Sequence, residues 1–365
     1  MSFKARDLLK DYDLRNISIG TIASHSALDV FDGAKDEGFL TIAICESGRE
    51  LPYMRFKAII DRVVLLSKFS EVVNDGVVSD LRKLNTILVP NRSFSVYVGY
   101  ENIESRLPIP VFGNRYLLKW EERIGEHNYY KLLDAAGIKR PKVFKSFDDI
   151  DRPVIVKLPE AARKFERGFF IARDRDDSYR KIRDLISLGI INEKTLSEAS
   201  IEELVVGAHF NVNYFRSIAR NDVELLSIDR RIQSNLDGLI RIPAKDQISI
   251  DILVRYIEVG HEPATIRESL LNKLFVIGDS FVNAVNELVP PGIIGPFTLQ
   301  LMVTPDLDVV VYDVAFRIGG GTNVYMGVGS QYSKLYFGKP VSIGRRVAME
   351  IKWCVNNGCL DKVVT

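Results

Sequence analysis

A lysine at the end of an apolar strand can lay an ammonium against phosphate oxygens, and Lys157 stands in that position within residues 153–159, PVIVKLP. A turn crowded with charge follows at 160–168, then a second apolar run, 169–172, so the turn between the two strands is placed to fold over a bound nucleotide. Glu202 and Glu203, within an acidic strand at 201–206, offer carboxylates to an adenine amino group or a ribose hydroxyl. Read without that context, the lysine would mark a sheet edge and the two glutamates a solvated one.

Residues 296–303 and 309–317 read as two strands joined by the turn 304–308. Asp313 and Arg317 are four residues apart, which the two-residue period of a strand puts on one face, and Gln300 on the preceding strand can face Asp313. Two oxygen donors of this kind suit Mg²⁺, or Mn²⁺ in its place, because the rest of an octahedron can come from phosphates and water. Arg317 would then neutralise a γ-phosphate; the plainer alternative is a buried Asp–Arg ion pair. The run GGGTN at 319–323 is either a simple turn or a set of free amides for an anion. His25, between two serines, and the polar stretches 229–231 and 234–244 carry donors and acceptors that suit either a ligand or a wet surface.

These groups need a scaffold, and the chain of 365 residues is long enough for two or three domains. Short β-branched runs at 17–23, 40–44, 59–66 and 86–89 alternate with a helix at 26–37, the rhythm of a doubly wound α/β unit with a parallel sheet. Ligands in such sheets lie beyond the carboxyl ends of the strands, where residues 24–26, 47–49 and 91–93 fall. Helices are expected at 120–136, 178–188 and 266–288, and further strands at 210–215, 223–228 and 240–243. Lys plus Arg total 49 against 48 Asp plus Glu, so there is no overall basic field for nucleic acid or an anionic membrane. Three cysteines without a CxxC argue against a disulfide framework or zinc ribbon, and no apolar run approaches a membrane span. A cytoplasmic protein is expected.

The ordered segments IASHSALDVFDGAKDEGF, SGRELPYMRF, VFGNRYLLKWE, IVKLPEAARKFERGFFIA, EELVVG, SNLDGLIRIPAKDQ, VPPGIIGPFTLQ and RIGGGTN, spread over nearly the whole chain, resemble an archaeal purine-biosynthesis ligase of the ATP-grasp superfamily. That family is the formate-dependent 5-formaminoimidazole-4-carboxamide ribonucleotide synthetase. The resemblance implies an N-terminal Rossmann-like domain over 1–118, a small ATP-binding lobe over 119–206 and a large catalytic lobe over 207–365. It also implies a homo-oligomer whose partners are formate, the aminoimidazole-carboxamide ribotide and ATP, and neither nucleic acid nor membrane. His25, Ser93 and Asn235 would contact the ribotide, with Arg49, Arg55 and Arg241 as added candidates on grounds of charge and loop position. Lys119, Lys157, Glu202 and Glu203 would hold ATP, Gln300 and Asp313 the metal, and Arg317 and His25 would stand at the reacting centre. Two departures from the family pattern stand out. Residues 160–167 contain no glycine, so Arg163, Lys164 and Arg167 would replace backbone amides around the phosphates, and after Ile318 a glycine, Gly319, stands where an acid is expected in RxDGGTN. The same fold would also serve an impaired paralogue that binds nucleotide or ribotide, or another carboxylate–amine ligase.

Overall fold

A computed structural model describes residues 3–123, 125–158, 169–250 and 256–365. Three sheets organise the chain. The first is parallel, in the order β3-β2-β1-β4, from β1 (Ser18–Ile22), β2 (Leu40–Glu46), β3 (Arg62–Leu66) and β4 (Thr86–Leu88). β1 is buried along its whole length, as a central strand covered on both faces must be. β3 begins later than the apolar run at 59–66 suggests. The Thr41 hydroxyl donates to the Ile59 carbonyl at 2.8 Å and accepts from the Asp61 amide at 3.0 Å, so a side chain and not the ladder holds 59–61.

The second sheet is small and antiparallel, β5-β8-β6-β7, from β5 (Val143–Phe144), β6 (Val154–Lys157), β7 (Phe169–Ala172) and β8 (Ser200–Glu203). Phe144, Val154, Val156, Ala172 and Ile201 form its own apolar cluster. The third sheet, β11-β10-β9-β12-β13, is antiparallel throughout. It comprises β9 (Ala208–Ser217), β10 (Asp222–Asn235), β11 (Tyr256–Pro263), β12 (Gly295–Val303) and β13 (Val309–Ala315). The helix Leu271–Leu288 covers it, and Gly278 lets that helix approach closely, because a Cβ there would stand 2.8 Å from the Tyr214 ring.

Two expected elements are replaced. In place of one helix over 120–136 there is a 3₁₀ turn, Arg115–Glu121, and a separate helix, Tyr129–Ala135. Asn128 caps the second, its side chain accepting from the Lys131 amide at 3.1 Å, which ends any continuous helix before it. That helix buries Tyr129, Leu132 and Leu133 in the core of the third sheet, not in the small lobe. The strand expected at 240–243 is instead a turn after the short helix Leu236–Leu239, with Ile240 71% exposed.

The last helix, Ile343–Asn356, packs against the helix Ala27–Asp36 of the first domain through two glycines. A Cβ on Gly33 would lie 2.1 Å from the Arg345 amide nitrogen, and one on Gly344 would lie 2.0 Å from the Asp29 carbonyl. Val347, Ala348, Ile351 and Cys354 of the last helix share an apolar cluster with Ile19, Val30 and Ile87, so residues distant in sequence build one core.

Candidate active site

The loops after β1 and β4 are tied together by Asn91. Its buried amide donates to the carbonyls of Ile22 (2.8 Å) and Ser24 (3.0 Å), while its oxygen accepts from the Phe94 amide. His25 and buried Ser93 therefore stand at one end of the parallel sheet. His25 has φ 55°, its carbonyl accepts from the Asn323 side chain at 2.9 Å, and its ring rests against Gly320, where a Cβ would come within 2.7 Å. The GGGTN run thus seats the histidine against the large lobe. His25 as a whole is exposed, but desolvation of its ring by the groups packed around it, and then Arg317, pull its pKa down to about 4, so the imidazole is neutral near pH 7.

Opposite this loop the β12–β13 hairpin brings Gln300 and Asp313 into register. Gln300 is buried and its Oε1 has no hydrogen-bond partner. Asp313 lies 3.6 Å from Arg123; burial would raise its pKa, but Arg123, Arg231, Lys157 and Arg92 together hold it low. A lone buried amide oxygen beside an ionised carboxylate fits a hard divalent cation that takes its remaining ligands from phosphate and water. Among the described residues no group of three or more His, Cys, Asp and Glu side chains could hold a metal alone. Arg317 lies beyond the end of β13 and pairs with Glu121 at 3.4 Å, while Asp313 pairs with Arg123, so the two do not form the ion pair that the strand period allowed.

Lys157 ends β6 and pairs with Glu202 on β8. Its side chain is 17% exposed and that of Glu202 1%, so this is an almost buried pair. Burial, and then Arg123, lower the lysine pKa, offset in part by Glu202. Glu203 points to the other face of β8, where Arg152 at 3.2 Å and the Lys142 amide hold it, so only one of the two glutamates enters the cleft by its side chain.

The remaining expected residues are dispersed. Lys119 pairs with Glu104 at 3.3 Å. The Arg49 guanidinium stacks over Phe69 and Tyr97, 5.7 and 5.4 Å from their ring centres, and Arg55 is exposed on the helix Leu51–Arg55. Neither is among the charges acting most strongly on His25, which are Arg317, Glu258, Arg92 and His261. Arg241 is exposed in the turn after Leu236–Leu239, and Asn235 ends β10 in the left-handed region at φ 37°. Arg163, Lys164 and Arg167 lie outside the described residues.

Glu121, Glu258 and His261 escaped the sequence reading, while Asp229 and Arg231 stand in it only as part of a polar stretch open to a ligand or a wet surface. Glu121 is buried between Arg92 and Arg317, 3.4 Å from each, and accepts from the Phe316 amide at 2.8 Å. Asp229 is fully buried and accepts from Asn211, Asn213 and His261, each at 2.7 Å. His261 reaches Glu258 at 3.0 Å through its other nitrogen, and Glu258 pairs with Arg231 at 2.9 Å. Burial opposes the charge on His261, but the two carboxylates outweigh it and raise its pKa to about 9. The available signal was Asn211 and Asn213, polar residues two apart in an otherwise apolar strand, which must share a face and a buried partner.

Residues 19–144 match a family model described as a protein of unknown function, DUF1246, and residues 177–365 one described as a domain of unknown function, DUF1297. The chain is 43% identical to the 5-formaminoimidazole-4-carboxamide-1-(beta)-D-ribofuranosyl 5'-monophosphate synthetase of Methanocaldococcus jannaschii, over 98% of both chains. It is 45% identical to the Methanopyrus kandleri protein of the same name, again over 98% of each. The chain belongs to this synthetase family. Among solved structures, the IMP biosynthesis protein PurP from Thermococcus kodakaraensis superposes with a TM-score of 0.73 at 32% identity, covering 95% of this chain and all of that one. The ADP complex of an N5-carboxyaminoimidazole ribonucleotide synthetase, at 13% identity, shares the fold with a TM-score of 0.61 over 93% of this chain and 77% of that one. This synthetase-family chain is an α/β protein of ATP-grasp fold and an ATP-dependent C–N ligase.

Proposed function

We propose that the protein formylates the 5-amino group of 5-aminoimidazole-4-carboxamide ribotide, using formate and ATP and releasing ADP and phosphate. The observation that carries this reading is the crowd of cations, Lys157, Arg123, Arg92 and Arg231, around the ionised carboxylate of Asp313, continued by Arg317 and Arg92 to the neutral His25. These cations, now set against Glu202, Asp313, Glu121 and Glu258, are placed to stabilise a polyphosphate and the charge that builds as its terminal phosphoryl group leaves.

In this reading Lys157 and Arg123 hold the phosphates and Glu202 keeps the lysine in place. Gln300 and Asp313 would hold Mg²⁺, which supplies charge neutralisation at the phosphates when bound. A formate oxygen takes the γ-phosphoryl group, giving formyl phosphate and ADP, and Arg317 and Arg92 face the charge on that anhydride. The 5-amino nitrogen then attacks the formyl carbon, phosphate leaves, and the nitrogen gives up one proton. His25 and Ser93 place the ribotide, and the neutral imidazole can accept or donate a hydrogen bond without adding a charge. The large lobe and the end of the parallel sheet enclose both reactants between them.

A coupled assay for ADP decides the matter. Release that requires formate, the ribotide and Mg²⁺ together is expected. Binding of the ribotide without any turnover, or turnover with another acid or amine in place of these, would overturn the proposal.

A further inference from the structure

The last helix ends in a motif whose two contact positions are both cysteines. The Cys359 amide donates to the Cys354 carbonyl at 2.9 Å and the Gly358 amide to the Val355 carbonyl at 3.5 Å, with Gly358 left-handed at φ 65°. This pair of bonds is the Schellman closure, and it brings the side chain five residues on back against the one that starts the last turn. Those positions usually hold an apolar contact; here they hold Cys354, fully buried, and Cys359, partly exposed and packed against the apolar cluster that contains Cys354. Cys45 belongs to a different apolar cluster, in the parallel sheet.

We propose that Cys354 and Cys359 form a redox pair, which a small-molecule disulfide oxidises to an intramolecular Cys354–Cys359 disulfide. The partly exposed Cys359 thiolate attacks one sulfur of the oxidant; a mixed disulfide forms, the oxidant's S–S bond breaks, and one small thiol leaves with a proton. The Cys354 thiolate then attacks Cys359 Sγ, the mixed disulfide breaks, and the second small thiol leaves with the second proton. Two electrons pass from the two protein thiols to the oxidant. Burial pushes the Cys354 thiol pKa up, which suits it to the second role and not the first.

The test uses the full-length protein equilibrated with mixtures of glutathione disulfide and glutathione, quenched in acid, then alkylated in denaturant and analysed by peptide mass spectrometry. Oxidation is expected to lower the alkylatable thiols from the three present to one, Cys45, with the Cys354 and Cys359 segment lighter by about 2 Da and free of glutathione. The Cys354→Ser variant is expected to accumulate glutathione on Cys359 instead. Persistent glutathione on Cys359 of the unaltered protein, or full alkylation of both cysteines at the most oxidising mixture, would overturn the proposal. Should Cys354→Ser not fold, the unaltered protein alone decides between these outcomes.

Discussion

Lys157 and Glu202 neutralise each other in the cleft, so removing either acts twice. If Lys157 holds phosphate as proposed, Lys157→Ala is expected to remove a contact of roughly 1.5–3 kcal/mol, a fall in affinity for a non-hydrolysable ATP analogue of roughly 10- to 150-fold by calorimetry. It also strands a buried carboxylate, at a cost of about 3 kcal/mol in thermal unfolding. A variant with Lys157→Met and Glu202→Gln should regain most of the stability and none of the affinity; unchanged nucleotide binding in both variants would refute the role given to the lysine. His25 and His261 are expected to separate by titration in NMR. His261, with its folded pKa raised to about 9, contributes stability that is full below about pH 6.5 and lost as pH rises through 9, on the order of 2–3 kcal/mol. His25, with its folded pKa lowered to about 4, takes up its proton more readily when unfolded, so it costs stability as pH falls from about 6.5 towards 4. A His25 resonance that titrates near pH 6.5 would show that Arg317 and the loss of ring hydration do not act on it as described.

At the scale of elements, each glycine of the run 319–321 meets a different neighbour. A Cβ on Gly321 would stand 2.1 Å from the fully buried Asp229 carboxylate, which three side chains already hold, so Gly321→Ala is expected to lower stability by roughly 1–3 kcal/mol in denaturant unfolding. At Gly320 the neighbour is the His25 ring, which can give way; Gly320→Ala should leave the melting temperature nearly unchanged and raise KM for the ribotide about tenfold. Equal effects of the two substitutions on stability would contradict this division. Much of this was legible beforehand. The β12–β13 hairpin, the Gln300–Asp313 pairing and the lysine ending β6 follow from strand period and turn residues, which are local signals. Glu121 was not legible, because its two arginines lie 29 residues before it and 196 after it, a pairing that only the packing of three elements creates. Arg49 misled because charge and loop position say nothing of the two aromatic rings on which it lies.

Across the whole molecule, the segment around Thr365 is part of the first domain's frame. The Val111 amide donates to the Thr365 carbonyl at 3.0 Å and the Gly113 amide to that of Val363 at 2.9 Å. Arg115, 1% exposed, gives its guanidinium to the carbonyls of Ile103, Leu107, Ile109 and Thr365. Removal of residues 363–365 leaves that cation short of an acceptor and opens the edge beside β4; a loss of about 3 kcal/mol or more is expected, read as a fall in melting temperature. A truncated protein as stable as its parent would mean that Arg115 is satisfied without the tail. The interlock of Gly33 with Gly344 extends the same dependence to the last helix. On the ribosome, then, the first hundred residues can assemble their sheet but cannot close it. Ile19, Val30 and Ile87 wait uncovered while more than two hundred further residues are translated, before the helix that seals them is made. The nascent N-terminal unit is therefore open to chaperones and proteases until the helix Ile343–Asn356 has emerged to cover it.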